Sequence, residues 1–311
     1  MPKLSRNLIV IDDLSIADVE KLFNRTEFYL SKNQSSNKYS NILQGKILVN
    51  FFFENSTRTR TSFEIAAKRL GCELVNIDIS LSSLKKKETV IDTAKTINAM
   101  RPDYVAIRHN SGGIVNLLAN YLDCSVINAG DGTNQHPTQA LLDAFIIKKH
   151  KKQIKGLKIA ICGDVLHSRV ARSNIMLLSK LGAKINIITP PTLITNDFES
   201  WLKTNWNIKT YTSLTEGIKD VDVIMMLRIQ HERMIGCYIP SEGEYYKLYG
   251  LNHDKLQYAK KQVMILHPGP INREVEISSA LADDNNVSLI LHQVEAGVAL
   301  RQALLEFLAN C

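Results

Sequence analysis

The sequence predicts an α/β fold of two domains, each a mostly parallel sheet with helices on both faces. Three observations carry this reading. Eight apolar runs of four to eight residues are separated by segments of helical period, as strands buried on both faces and joined by crossover helices require. A basic, glycine-interrupted stretch near 150–157 divides those runs four and four. The length of 311 residues exceeds one compact core and suits two domains of about 150 residues.

The first strand is KILVNFFF (46–53), and a helix over 56–70 follows it, with Phe63, Ile65, Ala66, Ala67 and Leu70 at apolar helical spacing. Gly71 sits where a C-terminal cap belongs. ELVNIDI (73–79) is the second strand, SLSSLKKKETVIDT (80–93) a connecting loop, and 88–100 a helix. DYVAIR (103–108), a helix over 113–122 and SVIN (125–128) complete the first sheet. A helix over 136–151 starts with Pro137 in its first turn, where a missing N–H does no harm. LKIAICG (157–163), a helix over 168–181 capped by Gly182, and AKINIIT (183–189) open the second sheet. A helix over 197–206, DVDVIMML (220–227), QVMILH (262–267) and a helix over 274–283 continue it. The last helix, 293–309, is expected to return to the first domain. The expected domains are therefore 1–135 with 290–311, and 150–289, joined by a connecting helix over 136–149.

Composition narrows the function. No apolar run approaches the roughly 18 residues needed to span a bilayer. The N-terminal MPKLSRNLIVIDD has only Leu8 to Ile11 as an apolar run, so a cytoplasmic location is expected. Five scattered cysteines form no zinc spacing and read as small buried hydrophobes in a reducing compartment. No metal or cofactor is implied. The net charge of +7 is compatible with nucleic acid, a membrane surface or small anionic substrates. The densest basic run, KKHKKQIKGLK (148–158), lacks aromatic interleaving and reads as a solvated helix end. ICGD (161–164) has one glycine where a dinucleotide site needs a glycine-rich turn. Neither nucleic acid nor membrane is an expected partner.

Polar clusters fall at the carboxyl ends of the strands, the ligand-binding edge of open parallel sheets: STRTR, RH, GDGTNQHPTQ, GDVLHSR, RIQHER and HPGP. Six such clusters point to a single cleft. Ser56 is an N-cap candidate, and the backbone N–H groups of the turn behind it suit an anion. Thr57 and Thr59 add hydroxyls, and Arg58 adds a planar fork matched to phosphate oxygens. Arg60 lies about 200° around the helix from Arg58 and is assigned to a structural ion pair. Arg108 ends a buried strand, so it requires an anion or a carboxylate beside it.

In family order, FFFENSTRTRTSFE, RH, NAGDGTNQHPTQALLD, HSRVARSN, RIQHER and HPGPINREVEI resemble the aspartate carbamoyltransferases, catalytic chain type, over residues 5 to 309. STRTR with HPxQ matches the wider superfamily; RxQxER with HPGP is the part specific to aspartate, since ornithine enzymes carry HCLP at the last strand. The resemblance implies transfer of a carbamoyl group from carbamoyl phosphate to L-aspartate in pyrimidine synthesis. It implies carbamoyl phosphate on Ser56, Thr57, Arg58, Thr59, Arg108, His136, Gln139 and the carbonyls of Gly269 and Pro270. Arg58, Thr59, Arg108 and His136 would act on the reacting group. His136, at a helix start and near Arg108, is expected to be a neutral donor to the carbonyl oxygen.

Aspartate is implied on Lys86, Arg169, Arg228 and Gln230, with Arg172 and Arg233 structural. Glu54 is expected to pair with Arg169 and Arg233 when the domains close. Ser82 and Lys86 match a loop that reaches the neighbouring subunit of a homotrimer. Lys87 replaces the usual glycine there, and Lys85 is the competing lysine. Glu274 likewise stands where relatives often carry glycine. Regulatory or dihydroorotase-type chains are possible further partners.

Overall fold

A computed structural model describes residues 6–78, 88–234, 236 and 238–310. The chain divides into two units, residues 1–142 with 294–311, and residues 143–293. The first unit contains α1 (Ile16–Gln34), β1 (Ile47–Phe52), α2 (Thr57–Arg69), β2 (Glu73–Asp78), α3 (Val90–Ala99), β3 (Tyr104–His109), α4 (Ile114–Ala119) and β4 (Ser125–Asp131). Helix α5 (Pro137–Lys151) crosses the division. The second unit contains β5 (Lys158–Cys162), α6 (Arg169–Lys180), β6 (Lys184–Ile188), α7 (Asn196–Trp206), β7 (Lys209–Tyr211), α8 (Leu214–Gly217), β8 (Val223–Met226), α9 (Glu242–Tyr249), α10 (His253–Leu256), β9 (Met264–Leu266) and α11 (Ser279–Ala282). Helix α12 (Ile290–Ala309) crosses back.

Both sheets are parallel throughout, in the order β2-β1-β3-β4 and β7-β6-β5-β8-β9. Alternate strand residues face one way. Val49 and Phe51 of β1, Val105 and Ile107 of β3, and Val126 of β4 therefore share a face and pack on Ala94, Ile97, Val115 and Leu118. In the second unit Ala160, Cys162, Ile224, Met226 and Ile265 pack on Leu214, Ile218, Tyr245 and Tyr249. Cys72, Cys124 and Cys162 are buried free thiols. No helix among the described residues is long and apolar enough to cross a membrane.

Helix α12 packs on α1. Arg25 forms a forked ion pair with Glu306 (Nη2 to Oε1 2.7 Å), Tyr29 donates to Glu306 at 2.8 Å, and Asn33 donates to Gln302 at 2.7 Å. The C-terminal helix thus returns to the first unit.

Several elements depart from the sequence reading: α1, α8, α9 and α10 are helices it does not contain, the second sheet gains a strand, and one expected helix is shorter. Helix α1 was not assigned, although Ser15 and Asp18 form a capping box and Val19, Leu22, Phe23 and Leu30 are buried. The second sheet has a fifth strand, β7, whose three residues lie at its edge and pair with β6 alone. No apolar run announces so short an edge strand. The helix expected over 274–283 shrinks to α11. Glu274 has φ 60, in the left-handed region, which a continuing helix cannot use. Ser278 then restarts the helix by accepting from the Leu281 N–H. That φ also gives the physical reason why glycine suits position 274.

Candidate active site

In each unit the parallel strands deliver their carboxyl ends to one edge of the sheet. In the first unit that edge carries the turns after β1, β3 and β4. The Phe53 N–H donates to the Arg108 carbonyl at 2.8 Å, so STRTR departs beside Arg108. Ser56 is the N-cap of α2, yet its side chain makes no capping hydrogen bond. Elsewhere Ser15, Thr89, Ser168, Thr195, Ser213, Ser241, Asn252 and Ser278 each accept from an N–H of the first turn. The contrast matters because those N–H groups attract an anion when no side chain serves them. Thr59 is buried, and Thr57 and Arg58 are exposed. Arg60 pairs with Glu64 at 3.2 Å, the structural role expected of it.

Arg108 is 15% exposed, with its Nε 3.1 Å from a Glu54 oxygen. Glu54 thus meets an arginine of its own unit. This carboxylate offsets the desolvation of the Arg108 cation.

Asp131 builds the loop that carries His136. It is buried and accepts from the Asn128 amide (2.9 Å), the Gln135 N–H (3.0 Å), the Gly113 N–H (2.8 Å) and the Asn134 amide (3.0 Å). Gly132, at φ 48, allows the loop to press on residues 110–112: a Cβ there would lie 2.5 Å from the Gly112 nitrogen. The chain then enters α5 at Pro137, with His136 and Gln139 buried and the Thr138 hydroxyl 3.3 Å from His136 Nδ1. His109 is also buried, and burial lowers its pKa.

In the second unit Asp164 occupies the corresponding place after β5. Fully buried, it accepts from the His167 N–H (3.1 Å), faces His167 Nδ1 (2.9 Å) and accepts from the Gln230 N–H (3.3 Å). Two segments are gathered by one carboxylate. Ser168 caps α6 and Arg169, its first residue, is buried. Arg228 forms an ion pair with Glu232, and Arg233 donates to the His167 carbonyl at 3.1 Å. Arg172 lies over the Phe198 ring at 4.9 Å, a packing contact. After β9, the Gly269 N–H donates to His267 Nδ1 at 2.8 Å, and His267 Nε2 lies 3.1 Å from Glu276.

The family model for the aspartate/ornithine carbamoyltransferase carbamoyl-P binding domain matches residues 6–149, and that for the Asp/Orn binding domain matches 155–308. The chain belongs to the aspartate/ornithine carbamoyltransferase family. It is 53% identical over 306 residues to an aspartate carbamoyltransferase catalytic subunit of a Wolbachia of Drosophila simulans, covering 98% of this chain and 99% of that one. It is 51% identical over 301 residues to the same subunit of Pelagibacter ubique, covering 97% and 95%. Among solved structures it resembles the aspartate transcarbamoylase of Trypanosoma cruzi in complex with carbamoyl phosphate and aspartate, with a TM-score of 0.87 and 27% identity over 96% of this chain and 95% of that one.

Within this carbamoyltransferase frame, Ser56, Thr57, Arg58, Thr59, Arg108, His136 and Gln139 belong to the first unit, and Arg169, Arg228, Gln230, Gly269 and Pro270 to the second. Ser82, Lys86 and the competing Lys85 lie outside the described residues. Sequence reasoning missed Asp131, Asp164, Glu232, His267 and Glu276. The first two have a signal in common, an aspartate directly after a glycine at a strand end (AGD, CGD); the last two meet across nine residues by tertiary packing.

Proposed function

We infer that this protein transfers the carbamoyl group of carbamoyl phosphate to the amino group of L-aspartate, releasing N-carbamoyl-L-aspartate and phosphate. The amine nitrogen bonds to the carbonyl carbon, the carbon–oxygen bond to phosphate breaks, and the amine proton leaves with the phosphate. The Ser56–Thr59 turn and Arg58 hold the phosphate, Thr59, Arg108 and His136 donate to the carbonyl oxygen as it gains charge, Gln139 helps to hold the carbamoyl phosphate, and the carbonyls of Gly269 and Pro270 accept from its NH₂. Arg169 and Arg228, with Gln230, bind the two carboxylates of aspartate. We assign carbamoyl phosphate to a domain of residues 1–135 with 290–311, and aspartate to one of residues 150–289, joined by a helix over 136–149.

The observation that carries the choice of acceptor is the pair of arginine-bearing segments, 167–169 and 228–230, tied to the one carboxylate of Asp164. Two cations so placed suit a dicarboxylate and repel the cationic side chain of ornithine. The relatives named above as aspartate carbamoyltransferase catalytic subunits support the same choice. Side-by-side assays with the two acceptors test it: turnover with aspartate alone is expected, and turnover with ornithine alone would end the reading.

The reaction belongs to pyrimidine synthesis in the cytoplasm, and the working form is a homotrimer with Ser82 and Lys86 supplied by the neighbouring subunit. The relatives' designation as catalytic subunits is compatible with regulatory or dihydroorotase-type chains. Mixed trimers of a Lys86→Ala chain and an Arg58→Ala chain should regain activity through the intact shared sites; no recovery would remove the sharing.

A further inference from the structure

We propose that Glu276 is a positioning residue that gives the turn after β9 its selectivity for a carbamoyl phosphate over other acyl phosphates. The proposal rests on the reading of the Gly269 and Pro270 carbonyls as acceptors from the carbamoyl NH₂.

The segment HPGPIN, residues 267–272, lies outside any helix or strand. Pro268 and Pro270 have no N–H to place. The others rely on side chains. The His267 N–H donates to Gln293 Oε1 at 3.0 Å, the Gly269 N–H to His267 Nδ1 at 2.8 Å, and the Asn272 N–H to Glu276 Oε1 at 2.6 Å. Three side chains thus supply what a ladder of backbone bonds supplies elsewhere, and they set the shape of the turn.

Glu276 stands behind the bonds of both Gly269 and Asn272. Its Oε1 accepts from Asn272 and lies 3.1 Å from His267 Nε2. A backbone N–H can only donate, so His267 Nδ1 presents its lone pair to Gly269, and the neutral ring points its Nε2 proton at Glu276. One carboxylate oxygen therefore holds Asn272 directly and Gly269 through the ring. Gly269 and Pro270 lie in the chain between those two fixed points.

The carboxylate is itself firmly placed. The Val275 N–H donates to the Asn272 carbonyl at 3.2 Å, which turns the chain back, and the Glu276 carbonyl accepts from the Leu251 N–H at 3.0 Å. The side chains of His267 and Glu276 are fully buried. Glu276 Oε2 is buried with no hydrogen-bond partner among the described residues. A buried carboxylate served so unevenly is unfavourable for stability alone. The fixing of the turn accounts for its presence.

The chemistry of the donor converts this fixing into selectivity. Acetyl phosphate has the phosphate and the carbonyl oxygen of carbamoyl phosphate, with a methyl group in place of NH₂. In the proposed site the phosphate and carbonyl oxygen are met by Ser56–Thr59, Arg108 and His136, and the NH₂ by the turn. A turn released from Glu276 loses the contacts that separate the two donors and leaves the shared ones in place.

Calorimetric titration of the full chain with each donor, without aspartate, is the test. The wild type should bind carbamoyl phosphate about tenfold or more tighter than acetyl phosphate, as two ordinary hydrogen bonds give. Glu276→Met fills the space without an acceptor oxygen, and the ratio should shrink to about twofold, with the loss on carbamoyl phosphate. Glu276→Gln keeps a carbonyl oxygen at the place of Oε1 and should stay within about twofold of the wild-type ratio. Should Glu276→Met fail to fold, His267→Asn carries the same test. Its side-chain oxygen still suits an N–H two residues on, the tie to Glu276 is cut, and the ratio should shrink likewise. An unchanged ratio in the variant that folds, equal weakening of both donors, or a shrunken ratio in Glu276→Gln would overturn the proposal. A wild type that binds both donors alike would instead remove the reading of the turn as acceptor from the NH₂, and the proposal with it.

Discussion

Asp131 and Asp164 invite comparison, because each follows a glycine at the end of a parallel strand and each is buried, one in either unit. Asp131 receives four neutral donors, drawn from its own loop and from Gly113. Asp164 receives fewer, but they come from two separate stretches of chain, and one of them is an imidazole. The first carboxylate closes a loop on itself so that the helix of His136 and Gln139 starts in one place. The second holds two arginine-bearing segments to each other. The same residue in the same topological position thus closes one loop in the first unit and joins two separate segments in the second.

If that distinction is sound, the largest effect on stability comes from Asp131. Its removal leaves four donors without their carboxylate, and each buried unsatisfied group costs about 1–3 kcal/mol. Asp131→Ala should therefore destabilise the protein by about 4 kcal/mol or more, read from the urea midpoint, with faster amide exchange across residues 110–136. Solvent entry relieves part of the loss, which is why the expectation lies toward the low end of the sum. A loss below about 1 kcal/mol would show that the loop is held by something other than this carboxylate.

The comparison also shows what could be read from the chain before folding. The strand runs, the helix starts at Ser56 and Pro137 and the cation clusters are local features, each set by a few neighbouring residues, and they were legible. Asp131 and Asp164 follow their glycines in plain sight, but their meaning lies in donors up to 66 residues away. The pairing of Glu54 with Arg108 was hidden for the same reason: it depends on β1 lying next to β3. Edge strand β7 and the left-handed Glu274 escaped because tertiary packing outweighed local preference there. Sequence shows which groups are available; the sheet order decides which of them meet.

Asp164→Asn should separate the units in a different way. The amide keeps one acceptor oxygen but turns an N–H₂ toward a donor, so the 167–169 and 230 segments are no longer held alike. In the second unit this loosens the proposed aspartate residues. KM for aspartate should rise about tenfold, equivalent to about 1.4 kcal/mol, while KM for carbamoyl phosphate changes less than about twofold. An equal rise in both constants would contradict the division of labour and make Asp164 a general support of the fold.

Glu232 gives the smallest and most discriminating effect. Arg228 is 21% exposed and its partner Glu232 52% exposed, so the pair belongs to the class of surface ion pairs worth about 0–1 kcal/mol. Glu232→Gln should leave stability within about 0.5 kcal/mol and raise KM for aspartate about threefold, because the guanidinium loses the charge that aims it. Burial pushes the Glu232 carboxyl up, but the hydrogen bond from Arg228 and the surrounding donors outweigh it and hold the pKa below the ordinary 4.5. A depressed carboxyl stabilises the folded form above its unfolded pKa and loses that contribution as pH falls through the folded value. The difference between wild type and Glu232→Gln should accordingly be constant from neutrality down to about pH 5 and shrink below about pH 4.5. A difference that grew on acidification would mean that Glu232 is held by burial in its neutral form, and that Arg228 is aimed by some other group.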